Sequence, residues 1–184
     1  MSIDPLCDVR VWEHLLRIDQ ELAAVARREG CLRCGGRLDS ARYPRKPRGC
    51  PIDLDARYEC RLGLCCDACR KRAKPPSVLF LGRRVYFGAA IVLSVMDKAL
   101  TAERLAKLKQ LLGVDRRTVR RWQRWWREIF PHTALWSVER GRLLPLVDQS
   151  ALPGSLLERF SGGLHEQLIS VLRFISPLTS SLAR

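Results

Sequence analysis

The chain has 184 residues, of which 47% are hydrophobic and 28% are charged, a composition that supports a packed core and excludes wholesale disorder. Its 33 Lys and Arg against 19 Asp and Glu give a formal net charge of +14, which is typical of proteins that bind polyanions. The longest mostly apolar run, residues 85–96, is too short to span a membrane, and the first residues lack a secretory signal pattern, so a cytoplasmic protein is expected.

The first predicted element is an amphipathic helix within residues 1–30. Five apolar side chains between residues 4 and 29 recur at helical spacing and would form one face: Trp12, Leu15, Leu16, Leu22 and Val25. Gly30 is expected to end the helix. Acidic side chains outnumber basic ones here, so the helix is a candidate surface for a homodimer or a protein partner rather than for a polyanion.

Residues 31–84 are predicted to form a zinc ribbon. Cys31 and Cys34 form one Cys-x2-Cys unit, and Cys66 and Cys69 form a second unit 31 residues later. Two intervening residues let the backbone fold so tightly that both thiolates of a unit reach one ion, and two units complete a tetrahedral site. Because four thiolates leave no open coordination position, one structural Zn²⁺ per chain is expected, the alternative being buried free thiols.

The remaining cysteines lack this spacing. Cys65 could replace Cys66 as a ligand, although it would then stand one residue further from Cys69. The other leftover cysteines are expected to be buried thiols, with a second zinc site as the less favoured alternative: Cys7, Cys50 and Cys60. Three histidines are isolated in the sequence and are interpreted as surface or packing residues: His14, His132 and His165.

A basic stretch with two prolines lies between the cysteine units, at residues 41–49. Proline favours an extended backbone, and an extended basic segment can lie along phosphates or enter a minor groove. Arg45, Lys46 and Arg48 are therefore candidate DNA contacts. An ordinary solvated loop is an equally weighted alternative.

Residues 85–130 are predicted to contain three helices, of which the last two form a helix-turn-helix. The first of these two is expected to begin at Thr101 and to end at Gly113, and Asp115 is a good N-cap for the second. Each helix has an apolar face, formed in the first by Leu105, Leu108, Leu111 and Leu112, and in the second by Val119, Trp122, Trp126 and Ile129.

The second helix of this pair is rich in arginine. In a helix-turn-helix the second helix enters the major groove with its first turns against base edges, where arginine can bond guanine. Candidates for base or near-base contacts are Arg116, Arg117, Arg120 and Arg121, and candidates for phosphate contacts are Arg124 and Arg127. The alternative is an amphipathic helix whose charges are merely solvated.

Residues 108–122 resemble the helix-turn-helix of resolvase-like and transposase proteins, with Lys109 where that family usually has a small residue. The order of the two cysteine units, an apolar helix and this motif resembles the amino-terminal zinc-ribbon and DNA-binding part of bacterial insertion-sequence transposases, over about residues 31–130. The resemblance implies that the ligand is double-stranded DNA and that a transposase or recombinase is a partner in transposition.

In those transposases a catalytic domain of ribonuclease-H-like fold follows, with three carboxylates that hold two metal ions. Only 54 residues follow residue 130 here, without a strand-borne carboxylate pattern, and no phosphate-binding loop or hydrolase motif occurs elsewhere. The expectation is therefore DNA binding without enzyme activity, in an accessory factor or regulator of a mobile element. A transposase remnant is the alternative within this class.

Together these elements predict an α+β chain that is mostly α. Its expected parts are an amino-terminal helix at 1–30, a zinc ribbon at 31–84, a helix-turn-helix domain at 85–130 and a short helical region at 131–184. The alternative from another class is a zinc-ribbon adaptor that binds RNA or a protein through the same basic helix. A tight turn at residues 113–115 would favour the DNA-binding hypothesis, because a helix-turn-helix requires it.

Overall fold

The protein was examined as a computed structural model that describes residues 4–41, 43–44, 49, 51, 54–81, 86–96 and 100–180. These residues are mostly helical and form three small antiparallel sheets, so the predicted class, α+β and mostly α, is confirmed at this level. Within the described ranges, no helix combines the length and the apolar character needed to cross a membrane.

The amino-terminal segment contains a short 3-10 helix, Asp4–Cys7, and then α1, Val9–Glu29. The two are separated because the Asp8 carboxylate caps α1, accepting a hydrogen bond from the Arg10 backbone N–H at 2.9 Å. α1 ends at Gly30, as predicted. The prediction for Val25 was wrong, since this side chain is 40% exposed and the buried face instead includes Ile18, Ala23 and Ala26.

The cysteine-rich segment forms short strands, as its lack of helical periodicity predicted. β1, Leu38–Ser40, pairs with β4, Leu64–Cys66, and β4 pairs with β5, Arg72–Ala73, in an antiparallel sheet of order β1-β4-β5. A second pair joins β2, Tyr43–Pro44, to β3, Cys60–Arg61. The register places Leu38 opposite Cys66, so the second cysteine unit begins on a central strand.

The segment predicted to supply the first of three helices is partly extended. β6, Phe80–Leu81, pairs with β7, Tyr86–Phe87, and only then does α2, Gly88–Ser94, begin. Every residue of α2 is buried, which explains why its sequence is apolar on all sides rather than amphipathic. The predicted boundary between residues 84 and 85 lies between two strands that pair with each other.

Two helices joined by three residues follow. α3, Ala102–Leu112, begins where the Thr101 hydroxyl accepts a hydrogen bond from the Arg104 backbone N–H. It ends at Gly113, whose φ of 61° is left-handed. α4, Arg116–Arg124, begins at Asp115, whose carboxylate accepts from the Thr118 backbone N–H at 2.6 Å.

The chain continues from α4 through a π-helical turn, Trp125–Ile129, and a 3-10 turn, Phe130–His132. The wider π turn changes which side chains face inward. Phe130 is fully buried, whereas Ile129 is 52% exposed, so the prediction that Ile129 belongs to the buried face was wrong.

The carboxy-terminal region contains α5, Ala134–Glu139, α6, Gly154–Leu157, and α7, Leu164–Ile175, followed by a 3-10 turn, Ser176–Thr179. This region belongs to the main core. α7 packs against α2 and α6. Trp136 of α5 contacts Phe130 in a tilted arrangement, with ring centroids 5.1 Å apart.

The described residues form two separate hydrophobic clusters. The large core cluster contains residues of α1, α2, α3, α4 and α7, with Trp12 and Phe87 in edge-to-face contact at 4.9 Å. The small cluster has five buried members, which are Ala26, Cys31, Leu38, Leu64 and Cys66. α1 joins the two, because its first turns lie in the large core cluster and Ala26 lies in the small one.

A buried carboxylate ties α1 to the segment before β6. Asp19 is 2% exposed and accepts hydrogen bonds from the Ser77 hydroxyl at 2.5 Å and from the Val78 backbone N–H at 2.6 Å. The Thr179 hydroxyl in turn accepts from the Ser77 backbone N–H at 2.8 Å. Burial raises the pKa of Asp19 to about 6, against the hydrogen bonds that favour its ionised form.

Candidate metal centre and basic helix

The two predicted cysteine units meet at one point. One sulfur atom from each of Cys31, Cys34, Cys66 and Cys69 lies within 4.8 Å of the other three. Two of these separations are 3.5 Å, between Cys34 and Cys66, and 3.7 Å, between Cys31 and Cys69. These separations are far longer than a disulfide bond, and all four thiols are free.

The two units fold in the same way. In the first, the Cys31 carbonyl accepts hydrogen bonds from the backbone N–H groups of Cys34 at 3.3 Å and Gly35 at 2.7 Å. In the second, the Cys66 carbonyl accepts from the Arg70 backbone N–H at 3.2 Å. Each turn therefore brings its two sulfur atoms to the same side of the chain, which is the arrangement that Cys-x2-Cys spacing predicts.

Backbone N–H groups also approach the sulfur atoms. Hydrogen bonds from the backbone N–H groups of Arg33 and Cys34 lower the pKa of the Cys31 thiol to about 7. Backbone N–H groups of Cys69 and Ala68 favour the Cys66 thiolate, but burial and the hydrogen bonds that the Cys66 thiol donates to Cys34 and Cys69 outweigh them and raise the pKa of Cys66 to about 12. One thiolate is thus stabilised while a neighbour retains its proton, as expected for clustered thiols without a cation.

The cluster can hold one metal ion. A tetrahedral ion with metal–sulfur bonds of about 2.3 Å holds its sulfur atoms about 3.8 Å apart. The sulfur atoms of this cluster already lie close to that separation. An ion that displaces the remaining protons would also remove the repulsion that otherwise limits how many of these thiols ionise.

Gly36, two residues after the first cysteine unit, lies close against the second unit. A Cβ atom at this position would lie 2.9 Å from Sγ of Cys66 and 3.0 Å from a carboxylate oxygen of Asp67. We expect Gly36→Ala to displace Cys66 and to cost about 1–3 kcal/mol of stability in the metal-loaded protein. Thermal unfolding and metal affinity against a competing chelator would measure this effect.

Gly141→Ala is the matched control, because a Cβ atom at Gly141 meets no atom within 4 Å. If Gly36→Ala binds metal as tightly as Gly141→Ala does, the close approach of the two units is not needed for the site.

Cys66, and not Cys65, belongs to the cluster, as predicted. The Cys65 thiol instead donates to the carbonyl oxygens of Cys66 and Arg70, both at 3.7 Å. The prediction that the leftover cysteines are buried was wrong for Cys7, which is exposed, and Cys60 and Cys65 are only half-buried. Cys50 lies outside the described residues.

Two histidines that are isolated in the sequence lie side by side in the structure. His14 of α1 and His165 of α7 lie with ring centroids 5.9 Å apart and nearly perpendicular planes. Burial lowers the pKa of His14. His132 is exposed, and none of the three joins the metal-ligating group found among the described residues.

α4 presents arginines on the side opposite its buried face. Val119 is fully buried and Trp122 is 4% exposed, so α4 is fixed to the core along one side. Four exposed arginines form no salt bridge with any other described residue: Arg116, Arg117 and Arg120 of α4, and Arg127 of the π-helical turn that follows it. This face can therefore receive an anionic ligand without breaking an existing ion pair.

Two of the candidate arginines already have partners. Arg121 donates to the Tyr86 hydroxyl at 2.6 Å, with its guanidinium carbon 5.4 Å from the centroid of the Tyr86 ring. Arg124 pairs with Glu128 at 2.6 Å, one helical turn later. Side-chain partners of this kind were not anticipated from the sequence. The candidates Arg45, Lys46 and Arg48 lie outside the described residues.

Comparison with known proteins adds no family assignment, since no family model, curated protein or solved structure matches this chain. Two features of the molecule bear on its function: the four-cysteine cluster, and the α4 arginines that have no ion pair among the described residues.

Proposed function

We propose that this chain is a zinc-containing protein that binds double-stranded DNA sequence-specifically through α3 and α4, acting as a helix-turn-helix. The observation that carries the proposal is the basic face of α4. Its first two turns present Arg116, Arg117 and Arg120, free of ion pairs with described residues, on a helix held rigidly by the opposite face. A fixed helix with unpaired arginines at its first turns suits entry into a major groove.

The turn before α4 supports the same function. Three residues separate α3 from α4, a left-handed Gly113 ends the first helix, and the buried Val114 fixes the turn to the core. This is the feature that a helix-turn-helix reader needs and that an adaptor for RNA or protein does not need.

Arg121 has a different role in this proposal. Because its guanidinium is bonded to Tyr86 of β7, we assign it to positioning α4 against the β6–β7 pair rather than to reading bases. Arg124 and Arg127 remain candidates for phosphate contacts, since they lie further along the chain from the first turn.

Zinc is the ion that we propose for the four-cysteine cluster. Four thiolates in tetrahedral arrangement suit Zn²⁺, and such a closed shell leaves no position for a reacting water. The ion would hold together a small sheet with little core of its own, as in a zinc ribbon, so its role is structural.

The biological setting follows from the resemblance to the DNA-binding part of insertion-sequence transposases. We propose an accessory factor or regulator of a bacterial mobile element that acts with a transposase or recombinase in the cytoplasm. We assign no catalytic activity to the chain itself.

The experiment that tests this function is selection of binding sites from a randomised duplex library by zinc-loaded protein at physiological salt. We expect a defined motif to be enriched. Arg117→Ala should bind that motif about 5- to 150-fold more weakly and should relax the preference at one position, because a base contact of arginine contributes about 1–3 kcal/mol.

Arg28→Ala is the matched control, since Arg28 is an exposed arginine of α1 and its loss changes the net charge equally. Retention of DNA without any enriched motif, together with tighter binding of RNA, would contradict the proposal and favour an RNA adaptor.

A further inference from the structure

The two cysteine units are followed by different residues at one equivalent position, Gly35 after the first unit and Arg70 after the second. The residue directly after the second cysteine of each unit has a left-handed backbone, with a φ of 72° at Gly35 and 57° at Arg70. Both donate their backbone N–H to the carbonyl of the first cysteine of their unit. Among the described residues, Arg70 is the only one other than glycine with a positive φ.

This conformation is unfavourable for arginine. In the left-handed region Cβ lies close to the backbone carbonyl. This contact raises the conformational energy of any residue with a side chain, but not that of glycine. A fold that needs only the turn would be served better by glycine, as at Gly35. Such strained positions persist where the side chain contributes something else, and they cluster at functional sites.

No contact of the Arg70 side chain with the described residues offsets the conformational cost of its left-handed backbone. It is exposed, and its guanidinium forms no hydrogen bond or ion pair with another described residue. Arg37, directly before β1, is by contrast paired with Asp39 at 3.2 Å. Arg33, inside the first cysteine unit, is exposed and unpaired with described residues in the same way as Arg70.

We propose that Arg70, assisted by Arg33, contacts a phosphate of the DNA backbone, so that the metal-binding sheet is a second anchoring surface besides α4. The inference rests on the proposed DNA-binding function and adds a ligand contact to it. Phosphate is the chemistry that fits, because an exposed guanidinium held on a rigid turn can bond phosphate oxygens bidentately. Such a contact fixes orientation and adds affinity without reading sequence.

The test compares Arg70→Gly with the wild-type chain in two measurements. In the zinc-loaded protein, we expect Arg70→Gly to unfold at the same temperature or higher and to retain zinc against a chelator, because the left-handed turn is relieved. On a fixed duplex, we expect it to bind more weakly and to reduce the slope of log affinity against log salt by about 0.9, the value for one phosphate contact.

Three further variants make the result specific. Arg70→Lys keeps the charge and the backbone cost, so it should retain the salt slope. Arg33→Ala should lower the slope without changing stability. Gly35→Ala, where a Cβ atom meets nothing within 4 Å, measures the cost of a side chain in the left-handed turn without changing charge, and it should lower the unfolding temperature while leaving the salt slope unchanged.

Each other outcome overturns the inference in a distinguishable way. If the wild-type chain binds its enriched motif and Arg70→Gly has the same salt slope, this contact is wrong and the proposed function stands. If Arg70→Gly loses zinc, Arg70 serves to balance the charge of the thiolates rather than to bind phosphate. If the wild-type chain binds no duplex DNA, both the inference and the proposed function are wrong.

Discussion

Replacing Cys34 by Ser is expected to weaken zinc binding by at least about 100-fold and to unfold the cysteine-rich segment while the large core cluster stays folded. The physical reason is the division between the two clusters. The small cluster has five buried members, two of which are cysteines of the four-cysteine cluster, so little apolar burial is available to hold its three short strands without an ion. The large core cluster contains none of these cysteines.

Two measurements check this expectation. Competition with a chelator of known affinity gives the zinc affinity, and hydrogen exchange gives protection along the chain. We expect the backbone amides of β1, β4 and β5 to lose protection in Cys34→Ser, and those of α2 and α7 to keep it.

Cys65→Ser is the matched control, because Cys65 adjoins a ligand in the sequence but its sulfur lies outside the cluster. We expect this variant to bind zinc as the wild-type chain does. Equal zinc affinity of Cys34→Ser and Cys65→Ser would mean that the four sulfur atoms do not act as one site.

The cysteine cluster could be predicted because the residues that determine the shape of each unit are neighbours in the sequence. Spacing of two residues fixes the shape of each unit, and the chemistry of four thiolates then requires the units to meet. The ends of α3 and α4 could be predicted for the same reason, since Thr101, Gly113 and Asp115 act on backbone groups within a few residues of themselves.

Features that depend on distant parts of the chain could not be predicted. The sequence predicted a short helical region at 131–184, but it did not indicate that α7 of this region packs against α2 in the main core. The pairing of β6 with β7 was not predicted. β7 is directly followed by the apolar run of α2, and in the sequence the two together are compatible with one continuous helix. The bond between Arg121 and Tyr86 joins residues 35 positions apart, and no sequence rule relates them.

The structure also changes how the basic helix is understood. In the sequence alone, the six arginines of the predicted helix differ only in their position, and all six are candidate contacts for a ligand. In the folded chain Arg121 bonds Tyr86 and Arg124 pairs with Glu128, whereas Arg116, Arg117, Arg120 and, in the turn after α4, Arg127 have no ion pair with described residues. Within α4 itself, the positive charge of the first two turns is therefore more available to an anionic ligand than the charge of the last turn.

Asp19 links elements that are far apart in the sequence, and its removal is expected to have the largest effect on the large core cluster. Asp19→Ala leaves the Ser77 hydroxyl and the Val78 N–H without their buried acceptor. We expect a loss of about 2–4 kcal/mol in the free energy of unfolding, measured by denaturant titration. Ser150→Ala, on an exposed turn, is the control and should change stability little.

The pH dependence of the stability of Asp19→Asn tests whether titration of the Asp19 carboxyl contributes to the free energy of unfolding. The pKa of Asp19 is raised from 3.8 to about 6 in the folded chain, so folding favours its protonated form. Its stabilising contribution is therefore fully present below pH 3.8 and is lost as the pH rises through 6. Relative to Asp19→Asn, the wild-type chain should lose roughly 2 kcal/mol of stability between pH 4 and pH 7.

The comparison uses the difference between two chains at each pH, because zinc release in acid affects both alike and cancels. Asparagine can accept the Val78 N–H through its carbonyl oxygen but carries no titrating group, so its own profile lacks the contribution of residue 19. A difference between the two chains that stays constant from pH 4 to pH 7 would show that the pKa of Asp19 is not raised in the folded chain, because its hydrogen bonds from Ser77 and Val78 then offset its burial.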